Sequence, residues 1–249
     1  MDINDKIERL KDFFASNKYE LTPYLLPKGE AKPFVLILPG GGYGLVMSSV
    51  EGKPYALKLN AAGYNAFVLR YGIKKRARYP IPLDDVAKAL NYIFANAQAF
   101  NICIDRYAIW GSSAGGHLAA MFATKKLGYV HYNLPKPACL TLCYPVITAI
   151  GPTHIPSIDM IIGLKWTKDK QRMVSVECNM DEDFPPTFIW NSLQDNIVPV
   201  KNSEIFAQKC QELHIPYEYV QYPQGHHGKG LKENADWFDK ALMFCQKYL

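Results

Sequence analysis

Short runs of consecutive apolar residues alternate with amphipathic stretches along most of this chain. Phe34-Val35-Leu36-Ile37-Leu38 is apolar at every position, the pattern of a strand buried on both faces of a parallel sheet. Asn65 to Leu69, Tyr107 to Trp110, Ala138 to Cys143, Thr187 to Trp190 and Tyr217 to Gln221 read as further strands. Between them the spacing of apolar residues predicts helices near Lys53 to Ala61, over Leu83 to Asn96, from Gly116 to Ala123, over Asn202 to Leu213 and from Asn234 onward. Two elements precede the series. Ile7, Leu10, Phe13 and Phe14 share one face of a helix expected within Ile3 to Phe14, and Tyr19 to Leu25 reads as an edge strand interrupted by Pro23. This alternation predicts an α/β fold, a mostly parallel central sheet with helices on both faces, organised as one domain over residues 1–249. The segment Gly151 to Pro185 breaks the pattern with several prolines, the apolar stretch Met160 to Leu164 and the acidic patch Asp181-Glu182-Asp183. A connection this long is expected to border a site, as a small cap, in preference to being plain surface.

Composition narrows the class. A chain of 249 residues with 49% hydrophobic and 20% charged positions can bury one large core. The net charge of +5 is mild, and the basic run Lys74-Lys75-Arg76-Ala77-Arg78 has no interleaved aromatics on which bases could stack. It reads as a solvated loop, so no nucleic-acid partner is expected. No run reaches the length of a membrane span, and Met1 to Lys6 lacks the basic-then-apolar layout of a secretory signal. Cys103, Cys139, Cys143, Cys178, Cys210 and Cys245 are scattered, without C-x-x-C or zinc-finger spacing. They read as reduced packing residues of a cytoplasmic protein without metal, cofactor or membrane partner.

The strongest chemical signal is Gly111-Ser112-Ser113-Ala114-Gly115, set between the strand ending at Trp110 and the helix that follows. G-x-S-x-G at a strand-to-helix turn is the nucleophile elbow, whose tight turn projects the central serine. The alternative is a Ser/Gly-rich loop in which Ser112 or Ser113 only caps the helix. A serine hydroxyl is a poor nucleophile at neutral pH and needs a histidine base oriented by a carboxylate, in the chain order Ser, Asp or Glu, His. Asp195 follows the strand ending at Trp190, and its competing role is an Asx turn before the next helix. Gln224-Gly225-His226-His227-Gly228 follows the next strand and offers two candidate bases, with a surface turn or an adventitious metal site as alternatives. His117, on the helix after the elbow, reads as a packing or hydrogen-bonding residue. Pro39-Gly40-Gly41-Gly42-Tyr43, straight after a buried strand, can turn backbone N–H groups toward a developing oxyanion, together with the N–H of Ala114. A dinucleotide loop fits less well: the glycines are spaced G-x-G-x-G and the following strand ends in Arg70, not in an acidic residue.

Taken together, Leu38 to Tyr43, Tyr79 to Asp85, Trp110 to Ala119, Pro185 to Trp190, Asp195 to Val200 and Gly225 to Leu231 resemble the α/β-hydrolase superfamily, in particular small esterases of the acetylxylan esterase and hormone-sensitive-lipase-like group. The resemblance implies Ser113 as nucleophile, Asp195 as acid, His227 as base with His226 as second choice, and Gly41, Gly42 and Ala114 as the oxyanion hole. Pro39 stands where the HGGG-type motif has histidine, His226 where the group has glycine, and Ser112 where it has an aromatic. The implied activity is hydrolysis of short acyl esters, above all acetyl, on a carbohydrate such as a xylo-oligosaccharide. The alternatives are a general carboxylesterase, a formamidase- or peptidase-like hydrolase, and a non-catalytic ligand-binding protein on the same fold. Tyr43 and Trp166 are candidate flat contacts for a sugar, with a place in the core or at its rim as the alternative.

Overall fold

The computed structural model describes residues 20–249. The expected helix over Ile3 to Phe14, and Tyr19 at the start of the first strand, lie outside them. Seven strands form one sheet in the order β1-β3-β2-β4-β5-β6-β7. They are β1 (Glu20–Tyr24), β2 (Lys32–Leu38), β3 (Asn65–Arg70), β4 (Ile102–Ser112), β5 (Cys139–Cys143), β6 (Thr187–Ser192) and β7 (Tyr217–Tyr222). All neighbours are parallel except β1, which runs antiparallel to β3 along the edge. Pro23 pairs opposite Phe67 inside β1 and does not interrupt it, because an edge strand has no partner on its outer side to miss an N–H.

Side-chain alternation divides the core. Phe34, Leu36, Leu38, Phe67 and Ile109 face one way, toward α2 (Ile81–Ala95), α3 (Ala114–Phe122) and α6 (Lys201–Glu212). Val35, Ile37, Val68, Ala108, Trp110 and Trp190 face the other, toward α1 (Lys53–Ala61) and α7 (Asp236–Cys245). Trp237 of α7 stacks on Trp190 with ring centroids 5.3 Å apart and contacts Trp110 at 6.0 Å. Every residue of α3 is buried, as its unbroken small and apolar sequence requires. Strand β4 begins five residues earlier than the apolar run suggests. The register shifts between Lys32 and Phe34, and the irregular stretch carries the exposed Asp105 and Arg106, which mask the strand pattern.

The expected break at 151–185 contains two short helices, α4 (Ile155–Ile162) and α5 (Lys168–Val174). The basic run 74–78 is more than a solvated loop. Arg76 pairs with the fully buried Asp85 at 3.2 Å, and Arg78 donates to the carbonyls of Asp159 and Met160 in the last turn of α4, where a cation complements the helix end. Four of the six cysteines are buried, Cys103 is half-buried, Cys178 is exposed, and all are free thiols.

Strand β2 has β3 on one side and β4 on the other, with Leu38 level with Gly111. The chain therefore leaves β2 and β4 side by side at the switch point of the sheet, where open α/β sheets bind ligands. Helix α3 starts so close to β2 that a Cβ on Gly115 would lie 2.0 Å from the carbonyl oxygen of Leu38 and 2.5 Å from that of Pro39. Neither is a flexible side-chain end. Gly115→Ala is therefore expected to destabilise the fold by about 3 kcal/mol or more, the upper range of overpacking costs. Urea unfolding measures this, and an unchanged midpoint would contradict the close approach.

Candidate active site

Ser113 occupies the turn between β4 and α3 with φ 52° and ψ −120°, a conformation that L-residues rarely adopt and that costs on the order of 1–3 kcal/mol. Three main-chain bonds hold it: its N–H donates to Cys143 at 2.9 Å, and its carbonyl accepts from His117 at 3.0 Å and Val146 at 3.2 Å. The side chain makes no cap to its own helix, so the capping alternative does not describe this residue. The hydroxyl instead meets His227, with Oγ 2.8 Å from Nε2.

Asp195 makes contacts of both kinds, to the turn and to an imidazole. Its Oδ1 accepts the N–H groups of Ile197 and Val198, each at 2.9 Å, closing the turn after β6. Its Oδ2 lies 2.6 Å from Nδ1 of His227. A carboxylate only accepts, so Nδ1 carries the proton and Nε2 is free to accept the Ser113 hydroxyl hydrogen. Both partners are withdrawn from water, with side-chain exposures of 2% for Asp195 and 11% for His227. The neighbouring histidine diverges. His226 is exposed and receives Glu233, whose Oε2 accepts the His226 N–H at 2.7 Å and lies 3.2 Å from Nδ1. Of the two adjacent imidazoles, only His227 meets Ser113 and Asp195.

The loop after β2 brings Gly41 and Gly42 to the rim of the cavity that Ser113 and His227 open onto. Gly41 has φ 132° and Gly42 has φ 62°, values that a glycine reaches without steric cost. Ala114 is the first residue of α3, where no intrahelical carbonyl takes the N–H. The loop is fastened at several points. Tyr71 donates its hydroxyl to the Pro39 carbonyl at 2.7 Å, Met47 donates its N–H to the Gly40 carbonyl at 2.9 Å, and Gly44 donates to Gly41 at 3.0 Å.

Two residues with no catalytic signature in the sequence complete the surroundings. Glu51, buried beside the loop, accepts the Gly40 N–H on Oε2 at 2.6 Å and the Tyr144 hydroxyl on Oε1 at 2.7 Å. His154 stands at the start of α4 with Nδ1 2.8 Å from the Ser157 hydroxyl. The cavity has a volume of about 480 Å³, and Leu45, Met47, Pro156, Met160 and Ile197 give it apolar walls. Segment 151–185 thus borders the site through His154 and α4. Glu51 lies 11 residues from Gly40 and 93 from Tyr144, so no local spacing announces the pair of bonds.

The expected sugar contacts are corrected. Neither Tyr43 nor Trp166 is among the described residues that line the cavity. Tyr43, at a positive φ of 59°, is fully buried, with its ring against Tyr71 and His117 and its hydroxyl 2.9 Å from His117 Nδ1. Trp166 donates its indole N–H to Asp159 at 2.8 Å and packs on the core beneath α4. His117 fulfils the structural reading. Its Nε2 lies 2.8 Å from the Val174 carbonyl, which can only accept, so Nε2 carries the proton and Nδ1 accepts from Tyr43.

Burial lowers the pKa of His117 from an ordinary 6.5 to about 4, offset in part by the bond to Val174. A histidine that stays neutral when folded takes up its proton more readily when unfolded. Stability is therefore full above about pH 6.5, falls as the pH drops toward 4, and levels off below that. The gap corresponds to about 3 kcal/mol. His117→Gln keeps one donor and one acceptor and removes the titration. The stability difference between wild type and this variant, from urea unfolding, is expected to shrink or reverse by about that amount between pH 7 and pH 4; a pH-independent difference would count against a buried neutral imidazole.

The BD-FAE family model matches residues 24–210. Endo-1,4-beta-xylanase B of Butyrivibrio fibrisolvens is 34% identical over 218 residues, covering 84% of this chain and 34% of that protein. An acetylxylan esterase of Xylanibacter ruminicola is 28% identical over 229 residues, covering 90% of this chain and 46% of the relative. The chain thus spans between a third and a half of the length of these curated relatives. The crystal structure of an acetyl ester-xyloside bifunctional hydrolase from Caldicellulosiruptor lactoaceticus superposes with a TM-score of 0.82 at 32% identity, over 92% of this chain and 86% of that one. MGS-M1, an alpha/beta hydrolase from a deep-sea metagenome library, superposes with a TM-score of 0.75 at 29% identity, over 92% of each chain.

Proposed function

Since the chain belongs to the BD-FAE family and has an α/β-hydrolase fold, we propose that it is a carboxylic ester hydrolase that uses Ser113 as a covalent nucleophile. The observation that carries this reading is the 2.8 Å and 2.6 Å relay from Ser113 through His227 to Asp195, built on a strained serine. Nε2 of His227 takes the hydroxyl proton as Oγ bonds to the ester carbonyl carbon. The oxyanion is received by the N–H groups of Ala114 and Gly42, with Gly41 beside them; one such donor in comparable sites contributes roughly a hundred- to a thousand-fold in rate. The protonated His227 then gives its proton to the departing alcohol, leaving an acyl-serine. Water, deprotonated by the same nitrogen, releases the acid and restores Ser113. Asp195 keeps the proton on Nδ1 and stabilises the imidazolium.

The proposed substrate is a short acyl ester, acetyl above all, on a carbohydrate such as a xylo-oligosaccharide. The similar acetylxylan esterase and acetyl ester-xyloside hydrolase support it, as does a cavity of modest volume walled by Leu45, Met47 and Ile197. His154 supplies an imidazole to that wall that a sugar hydroxyl can meet.

Ser113→Ala is expected to abolish burst release from p-nitrophenyl acetate and covalent labelling by a fluorophosphonate, with a rate loss of about 10⁴-fold or more, while Ser112→Ala keeps both. An active Ser113→Ala enzyme overturns the serine assignment. Across p-nitrophenyl esters of increasing chain length, with acetylated xylo-oligosaccharides alongside, acetyl is expected to give the highest kcat/KM. A preference for long acyl chains would replace the acetylesterase reading with that of a general carboxylesterase.

A further inference from the structure

Glu51 is 2% exposed, and an unpartnered carboxylate at such a position is expensive to bury. Burial pushes its pKa up, while the bonds from Tyr144 and Gly40 and the nearby His227 pull it back down. Its two oxygens are divided between two different parts of the site. Oε2 holds the N–H of Gly40, the first glycine after β2, at 2.6 Å. That residue's carbonyl is taken by Met47, four residues before Glu51, so Gly40 is gripped on both sides of its Cα by the segment that carries Glu51. The fit is close: a Cβ on Gly40 would lie 2.8 Å from Oε2. Oε1 holds the Tyr144 hydroxyl at 2.7 Å. Tyr144 directly follows β5, and its ring lies against His227, with centroids 4.8 Å apart and planes at 60°. The phenol ring also meets Trp190 edge to face, at 4.9 Å and 83°. Glu51 itself comes from a wide, π-type turn over Ser48–Gly52, immediately before α1, a rare geometry that recurs at functional sites.

We infer that Glu51 is a positioning residue that locks the oxyanion loop and His227 into one register. It fixes the Gly40 N–H at the base of the loop and, through Tyr144, the wall on which the His227 ring rests. The inference rests on the reading of Ser113, His227 and the loop as the catalytic machinery. Its action falls on the transition state. An ester in the ground state asks little of the oxyanion donors, whose bonds strengthen as charge develops on the carbonyl oxygen. Loss of the brace therefore lowers kcat and leaves KM nearly unchanged.

The test is steady-state hydrolysis of p-nitrophenyl acetate, with fluorophosphonate labelling rates and melting temperatures measured on the same proteins. Glu51→Ala is expected to lower kcat about a hundredfold with KM within about threefold of wild type, and to slow labelling in parallel. Glu51→Gln can still accept from Gly40 and donate to the Tyr144 hydroxyl, and is expected to retain kcat within about fivefold. Tyr144→Phe keeps the ring on His227 but frees one carboxylate oxygen, and is expected to lower kcat about five- to tenfold. The inference is overturned by a Glu51→Ala enzyme with kcat within threefold of wild type, by a loss confined to KM, or by a well-folded Glu51→Gln as slow as the alanine variant. Should Glu51→Ala fail to fold, the other two variants decide: a slow Glu51→Gln or an unaffected Tyr144→Phe overturns it. Ser113→Ala run alongside separates this inference from the reading beneath it. Activity in that variant overturns the serine assignment, whereas a dead Ser113→Ala beside a fully active Glu51→Ala overturns the brace alone.

Discussion

The contact between the start of α3 and the end of β2 constrains everything around it. Gly115 rides on the carbonyl oxygens of Leu38 and Pro39, and a Cβ on Gly111 would lie 2.4 Å from the carbonyl oxygen of Gly115. With strand and helix this close, the residue joining them cannot take an ordinary helical or extended conformation. Ser113 is forced to φ 52°, and its hydroxyl is presented above the sheet. The main-chain bonds to Cys143, His117 and Val146 distribute that strain over β5, α3 and the chain after β5. The same contact fixes where the loop after β2 must open: beside Ser113, because Leu38 and Gly111 are level across the paired strands.

From that point outward the site is assembled from strand ends, and each loop is tied down by a bond from elsewhere in the fold. The β2 loop is fastened by Tyr71, Glu51 and, through Tyr43, by His117. His117 in turn reaches the end of α5 through Val174, so the segment that borders the cavity and the loop that opens onto it share one buried histidine. The His227 loop is held by Ser192, which donates to the Gly225 carbonyl at 2.7 Å, and by Asn234, which donates to that of Gln224 at 2.7 Å. Hydrogen-bond donors that are fixed before substrate arrives need no rearrangement as charge develops, which is the physical content of a preorganised site.

Much of this was legible in the sequence because the code for it is local. The apolar runs placed β3 and β5 to within a residue of their observed ends and β2 to within two, since strands buried on both faces leave few polar positions to confuse the pattern. Ser113, Asp195 and His227, the proposed triad, could be picked out together because each follows the end of a strand, in the chain order Ser, Asp, His. What the sequence concealed was long-range or directional. Tyr43 has an amphipathic side chain beside a glycine loop, as a sugar contact would, and its inward placement rests on long-range partners, Tyr71 and His117, that no local pattern announces. Arg76 and Arg78 looked solvated because their acceptors, Asp85 and the end of α4, lie on other elements. The early half of β4 was hidden by an irregular register whose exposed residues are charged.

Glu51 belongs to that concealed class, and the reason a carboxylate stands there follows from its partners. A backbone N–H and a phenol hydroxyl both converge as donors, so the group between them must accept twice and need donate nothing. Asp195 meets the same demand with one more donor: two backbone N–H groups on Oδ1 and an imidazole N–H on Oδ2. Both carboxylates therefore use one oxygen to shape main chain and the other to control a ring. Asp195 controls His227 directly, by hydrogen bond, and so selects its tautomer. Glu51 controls Tyr144, whose contact with His227 is between ring faces and edges and can set position but not protonation. The proposed mechanism thus assigns orientation of the base and placement of the oxyanion donors to two acidic residues, Asp195 by its bond to His227 and Glu51 through Gly40 and Tyr144.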